Sequence, residues 1–433
     1  AGLALLGVTV LIAGVMAGYR FGKPATVVDR VSIWLSPWDN NVRGGDQLAH
    51  SLWAFSTGGV WGSGPGWGDP GMIPAGHTDL VLPAIAEEWG FAGVLAICVL
   101  FVFLVRCAYR IALRAPDEYA MFLALGLGTL IALEMLLISG GVLGAIPLSG
   151  VVSPFLSSGN TAMLANFLIF AFLAGISGQR ARNHGNLQPH FLRPVRAASV
   201  VLGVFALTLV AKAAYFQVLH DEEFMVHDAR AIEEDGVKRP QYNPRLNSLA
   251  REIPRGTIYD RNGVPLATSS WDELERHRGE YAKLGIDIDR ACSRLERRHY
   301  PFGPATLHLL GDLHTGDKFH ATNASLIEHD ANARLQGYAD IHDLGPLVRY
   351  RHQPLNPGIQ ALLARDRSVR ATIDVRLQVR VNQLLRERLS PSGKSGAAVV
   401  MDPRTGDVLA LASFPEPAPG TPATPDQLLD RAR

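Results

Sequence analysis

The chain has 433 residues, 48% of them hydrophobic and 19% charged, and its 41 basic and 40 acidic side chains leave a formal charge of +1. So even a balance provides no strong global field and excludes a basic nucleic-acid binder. The charges are unevenly spread, with 17 of them in residues 1–178 and the other 64 in residues 179–433, so a membrane half is joined to a water-soluble half. Cys98, Cys107 and Cys292 form neither a disulfide framework nor a CxxC metal site.

The first residue is Ala1 rather than Met and already lies in an apolar run, so we read the chain as a fragment. Residues 1–19 lack the basic n-region of a signal peptide. A span requires about 20 mostly apolar residues, and five segments qualify: 1–19, 84–105, 118–138, 160–178 and 197–219. Arg106, Arg110 and Arg114 mark one inner loop, and Arg180, Arg182, Arg193 and Arg196 mark the linker after the fourth span. Alternation then puts 20–83, 139–159 and everything after 219 outside the cytoplasmic membrane. Lys212 is expected to snorkel to the outer interface beside Tyr215. Glu134 is either a helix-end carboxylate or a buried functional group.

The segment 47–79 reads as an outer loop. It runs from Gln47 through Ser51 into Gly58-Gly59 and a stretch dense in glycine and tryptophan. Such a loop bares peptide N–H groups and offers flat apolar faces to a sugar or to the bilayer interface, or it is simply a low-complexity surface. His77-Thr78-Asp79 follows immediately before the second span. Asp79 either caps that helix or stands as a carboxylate able to take a proton from a hydroxyl. Glu88, nine residues on, lies nearly opposite on an ideal helix and makes a poor partner for it.

These residues resemble the SEDS glycosyltransferases, the RodA and FtsW group. The resemblance runs in order over about 20–178: Gln47 with Ser51, Gly58-Gly59, Pro74 through Asp79, Glu87-Glu88-Trp89-Gly90-Phe91, Gly140 to Gly144, Pro147 to Gly150, and Pro154 to Ser157. It implies transfer of a disaccharide from lipid II, a polyprenyl pyrophosphate donor, onto a nascent glycan strand, with Asp79 as general base. It also implies substrate-binding roles for Gln47, Ser51, Gly58, Gly59, His77, Thr78, Glu88 and Ser157. No metal-ligand spacing and no required cofactor are evident, and a divalent cation at the pyrophosphate is left open. A lipid II transporter, with Glu134 in its path, and a non-catalytic scaffold are the other readings.

In the water-soluble half, Arg255 to Ala267 contains the turn Asp260-Arg261-Asn262-Gly263 between short apolar strands, a hairpin signal. Thr372-Ile373-Asp374 precedes an amphipathic run through Leu389, and 397–401 and 408–411 read as strands joined by a turn. These segments, with Tyr300-Pro301-Phe302-Gly303, resemble a class B penicillin-binding protein. Acyl transfer in that family requires Ser-x-x-Lys, which does not occur in this chain. The expected fold is thus a partial polytopic α-helical membrane domain followed by an anchor and an α+β extracytoplasmic pedestal. The boundaries are 1–178 for the SEDS part, 179–196 for a cytoplasmic linker, 197–219 for the anchor, 220–370 for the pedestal and 371–433 for the start of a transpeptidase domain. Expected partners are lipid II, the glycan strand, membrane lipids, the transpeptidase domain in cis and other elongation or division proteins.

Overall fold

A long apolar run has one backbone solution in hydrocarbon, a helix that bonds its own N–H and C=O groups. The computed structural model describes residues 13–178, 188–232, 235–311, 326–417 and 424–432. Among these residues, four helices are long and apolar enough to cross a membrane: Val81–Leu113, Glu118–Val142, Asn160–Ser177 and Val195–Leu219. They fall on the predicted segments 84–105, 118–138, 160–178 and 197–219. Of the predicted span 1–19, residues 13–21 are helical and 1–12 lie outside the described residues, as does 179–187 of the linker.

Asp117 caps the second of these helices by accepting the N–H of Ala120 at 2.7 Å. That helix and its predecessor approach closely at Gly128, where a Cβ would lie 2.8 Å from the Ala108 methyl carbon. The helix Val81–Leu113 is broken at Gly90, whose φ is 64°. The break frees the N–H groups of Phe91 and Ala92, which donate to the carbonyls of Gly59 and Val60 at 2.8 and 3.1 Å. On the other side of the break, the carbonyls of Glu87 and Glu88 accept from Ser63 and Gly64 at 2.9 and 3.0 Å. A Cβ on Gly90 would lie 2.4 Å from the Gly62 nitrogen, so this backbone pairing needs glycine. The glycine-rich segment therefore commits those N–H groups to the broken helix rather than baring them.

One expectation is corrected here. Residues 47–58 are no loop: Gln47–Gly58 is a helix in which every residue from Leu48 to Gly58 is buried. Its polar residues disguise it, because Ser56 and Thr57 turn their hydroxyls back onto the carbonyls of Leu52 and Trp53, both at 2.8 Å. Lys212, expected to snorkel, is half-buried and turned toward the loop that follows Val142. Its ammonium donates to the Gly144 carbonyl at 2.7 Å, an oxygen that also accepts the Trp34 indole N–H at 3.0 Å. Glu134 is half-buried and has no hydrogen-bond or ion-pair partner among the described residues.

The chain divides into two compact units, Ala1–Leu249 with Gly345–Pro354, and Ala250–Leu344 with Leu355–Arg433. In the first unit, the segment after the anchor folds back on the one before Val81. Strand β1 (Asp39–Arg43) pairs in parallel with β2 (Ala229–Ile232), which pairs antiparallel with β3 (Lys238–Gln241). Fully buried Trp53 donates its indole N–H to the His227 carbonyl at 2.8 Å, and Trp38 stacks on the His227 ring with centroids 4.4 Å apart.

The second unit carries the predicted hairpin, β4 (Ile258–Tyr259) antiparallel to β5 (Pro265–Ala267), with β6 (Val369–Arg370) parallel on the other side of β4. Buried Asp260 holds the turn by accepting the N–H groups of Asn262 and Val264, both at 2.8 Å. The predicted amphipathic run is the helix Val375–Leu389, capped by Asp374. It lies against β8 (Val408–Phe414), which pairs antiparallel with β7 (Gly396–Met401). Buried Gln378 exchanges hydrogen bonds with the Leu411 backbone at 2.7 and 2.8 Å, standing in for a neighbouring strand. Behind β4, Arg255 and Arg298 converge on buried Glu328.

Candidate active site

The segment Pro74–Leu80 turns tightly before the broken helix. Ala75 adopts φ 51°, a left-handed conformation that costs a non-glycine residue roughly 1–3 kcal/mol, and its carbonyl collects the N–H groups of Thr78 and Leu80 at 3.0 and 3.1 Å. The Thr78 hydroxyl adds a bond to the same carbonyl at 3.3 Å. The opposing loop is strained in the same way, with Phe155 at φ 59°. The two are pinned together where Ser158 donates both its N–H and its hydroxyl to the His77 carbonyl, at 3.0 and 2.8 Å. Ser157 is buried, and its hydroxyl accepts the Gly159 N–H at 3.3 Å.

Asp79 does not cap the helix: the cap position is Leu80, and no side chain bonds there. Its carboxylate is half-buried and has no partner among the described residues. The backbone of this turn is over-determined while its one carboxylate is unengaged. That arrangement leaves the carboxylate available to a ligand hydroxyl.

The other residues drawn from the sequence are dispersed. His77 is exposed beside Asp79, and Gln47 is exposed at the start of its own helix. Ser51 is buried and donates to the Val142 carbonyl at 2.7 Å. Gly58 packs on backbone, where a Cβ would lie 1.9 Å from the Ala86 carbonyl oxygen, and a Cβ on Gly59 would lie 2.2 Å from the Arg349 guanidinium. Glu88 accepts the Gly66 N–H at 3.1 Å. His77, Thr78, Asp79 and Ser157 are brought together, whereas Ser51, Gly58 and Gly59 serve packing.

A charged cluster around Glu87, on the helix that follows this turn, carries little local signal in the sequence. Glu87 is fully buried and takes a two-pronged contact from buried Arg245, Nε to Oε1 at 2.7 Å and Nη2 to Oε2 at 2.5 Å. Arg351, from the segment Gly345–Pro354, adds Nη2 to Oε1 at 2.7 Å and reaches Asp69 with Nε at 2.7 Å. The Asp69 N–H donates to Glu87 at 3.2 Å, and the His352 ring nitrogen lies 3.0 Å from the Asp69 carboxylate. Burial alone would raise the Asp69 carboxyl, but the His352 contact and the Arg351 charge outweigh it and hold that group below the usual range. Arg349 fastens the same segment through the Thr57 carbonyl at 2.8 Å and Asp221 at 2.6 Å. The only hint was Glu87 itself, an acid at the start of an apolar run and so in need of a partner.

Fold and site together define a multi-pass helical membrane region with a loop-built polar site at its helix ends, followed by a mixed α+β water-soluble unit. Residues 2–182 match the cell cycle protein family of FtsW, RodA and SpoVE. Peptidoglycan glycosyltransferase RodA of Mycobacterium leprae is 35% identical over 195 residues, 45% of this chain and 41% of that protein. The probable peptidoglycan glycosyltransferase FtsW of Geobacter metallireducens is 35% identical over 150 residues, 34% of this chain and 40% of that protein. Stage V sporulation protein E of Bacillus subtilis is 33% identical over 178 residues, 40% of this chain and 47% of that protein. The chain thus spans less than half the length of these relatives, and no solved structure matches it. Over roughly its first half the chain is homologous to the SEDS proteins, which relates it to peptidoglycan synthesis.

Proposed function

We propose that the membrane unit polymerises glycan strands from lipid II at the outer face of the cytoplasmic membrane. Asp79 is the general base of that reaction. It takes the proton of the acceptor sugar hydroxyl as that oxygen bonds to the anomeric carbon of the donor, and the polyprenyl pyrophosphate leaves with the electrons of the broken bond. The observation that carries this reading is the unpartnered Asp79 carboxylate on a turn bonded through the His77 carbonyl to Ser158. His77 and Thr78 shape the turn, and the Ser157 loop forms the opposite wall. The homology supports the reaction class; the assignment of roles to residues is ours.

For the second unit, the hairpin at Asp260–Gly263 and the helix and strands after Asp374 support the class B penicillin-binding-protein reading. In that reading 220–370 is the pedestal, although its residues 220–249 and 345–354 pack within the first unit, and 371–433 begins a transpeptidase domain. This chain contains no Ser-x-x-Lys, so cross-linking is not part of the proposed activity.

The test is Asp79→Asn in the protein supplied with lipid II in detergent. Loss of a general base costs about 10²–10⁴-fold, so glycan chains should vanish from gels while lipid II binding persists. Polymerisation within a factor of two of the wild type refutes the role of Asp79.

A further inference from the structure

A cavity of about 500 Å³ runs between the helices Val81–Leu113 and Glu118–Val142 and the anchor Val195–Leu219. Its volume lies in the range of about 300–1,000 Å³ typical of ligand sites. Its walls are apolar, with Phe101 and Val105 from the first helix, Met135 from the second, and Leu202 and Leu209 from the anchor among them. The anchor also turns Gly203 into it, and a Cβ there meets nothing within 4 Å.

One end is different. Arg106 and Arg110 from the first helix and Arg196 from the anchor line it. All three are exposed, and none has an acidic or other hydrogen-bonding partner among the described residues. Arg106 and Arg110 are four residues apart on one helix face, where like charges repel by roughly 0.2–0.5 kcal/mol. Arg196 brings a third positive charge from a separate helix. Simple snorkelling takes a guanidinium out to water; these three also line one and the same apolar slot. An anion there relieves the repulsion, and hydrocarbon attached to it fills the slot.

We propose that this cavity binds one anionic glycerophospholipid. Its phosphate sits among Arg106, Arg110 and Arg196, and its acyl chains lie along the slot. The lipid joins the anchor to the polytopic helices, and its binding is independent of the role of Asp79.

The test is native mass spectrometry of the 433-residue chain in neutral detergent. Phosphatidylglycerol, phosphatidylcholine or undecaprenyl phosphate is added at equal concentration. One phosphatidylglycerol per chain should be retained at least tenfold better than phosphatidylcholine. The triple variant Arg106→Gln, Arg110→Gln, Arg196→Gln should lose that preference with an unchanged melting temperature. Gly203→Trp, which fills the slot and leaves the arginines in place, should lower phosphatidylglycerol retention at least tenfold. Equal retention of the two phospholipids, or wild-type retention by both variants, overturns the proposal. Displacement of phosphatidylglycerol by undecaprenyl phosphate also overturns it and gives the cavity to a prenyl carrier.

Discussion

Glu87→Gln tests the buried cluster with little change of shape. In the native protein the carboxylate faces two guanidiniums, Arg245 at 2.7 and 2.5 Å and Arg351 at 2.7 Å, and all three side chains are fully buried. Glutamine keeps one acceptor oxygen but turns an NH₂ toward a guanidinium, which has no acceptor to offer. Arg351 retains the Asp69 carboxylate at 2.6 Å, whereas Arg245 retains only neutral acceptors, the glutamine oxygen and the Asn243 side-chain oxygen at 3.5 Å. The loss therefore falls on Arg245, a buried charge without a counter-ion, at a cost of about 3–5 kcal/mol. Against a typical total of about 5–15 kcal/mol this is a large fraction. The assay is unfolding in detergent followed through buried Trp53, with the double variant Glu87→Leu, Arg245→Leu as the comparison. Removing both charges avoids the unpaired guanidinium, so the double variant should recover about 2 kcal/mol relative to Glu87→Gln. A cost below about 1 kcal/mol for Glu87→Gln, or no recovery in the double variant, refutes the reasoning.

Three further outcomes follow from the same structure. Gly90→Ala forces a Cβ to 2.4 Å from the Gly62 nitrogen at φ 64° and should cost about 3 kcal/mol in the same assay, whereas Gly126→Ala, whose Cβ meets nothing within 4 Å, should be neutral or slightly stabilising. The Asp69 carboxyl, held below its ordinary 3.8 in the folded protein, contributes stability that is complete above that value and is lost as pH falls through the folded one. Melting temperature should therefore drop below about pH 4, and Asp69→Asn should flatten that part of the profile; an unaltered profile contradicts the assignment. Burial, with Glu296 adding to it, pushes the Cys292 thiol up to about 11. Its alkylation by iodoacetamide at pH 8 should be at least about tenfold slower than that of a free cysteine, as read by mass spectrometry of the peptide.

The membrane-spanning elements and the short motifs of the water-soluble unit were legible in the sequence. Hydrocarbon forbids unpaired backbone, so twenty apolar residues declare a helix without reference to the rest of the chain. A turn such as Asp260–Gly263 likewise carries its own conformational requirement, satisfied here by the Asp260 carboxylate four residues before Val264. The position of Asp79 immediately before the second predicted span was legible too, though not whether it would cap the helix or stand unengaged.

Tertiary structure alone decided what lies against what. The helix Gln47–Gly58 was hidden because its hydroxyls are satisfied within it, so that polar residues report a loop while the backbone is buried. The partners of Glu87 are 158 and 264 residues away, from opposite ends of the segment that follows the anchor. An ion pair leaves no period and no spacing in the sequence, since its geometry depends on the path of the whole chain. The juxtaposition of His77 with Ser158, 81 residues apart, is of the same kind. Local chemistry determined which segments enter the bilayer; long-range packing determined which charges and turns meet at their ends.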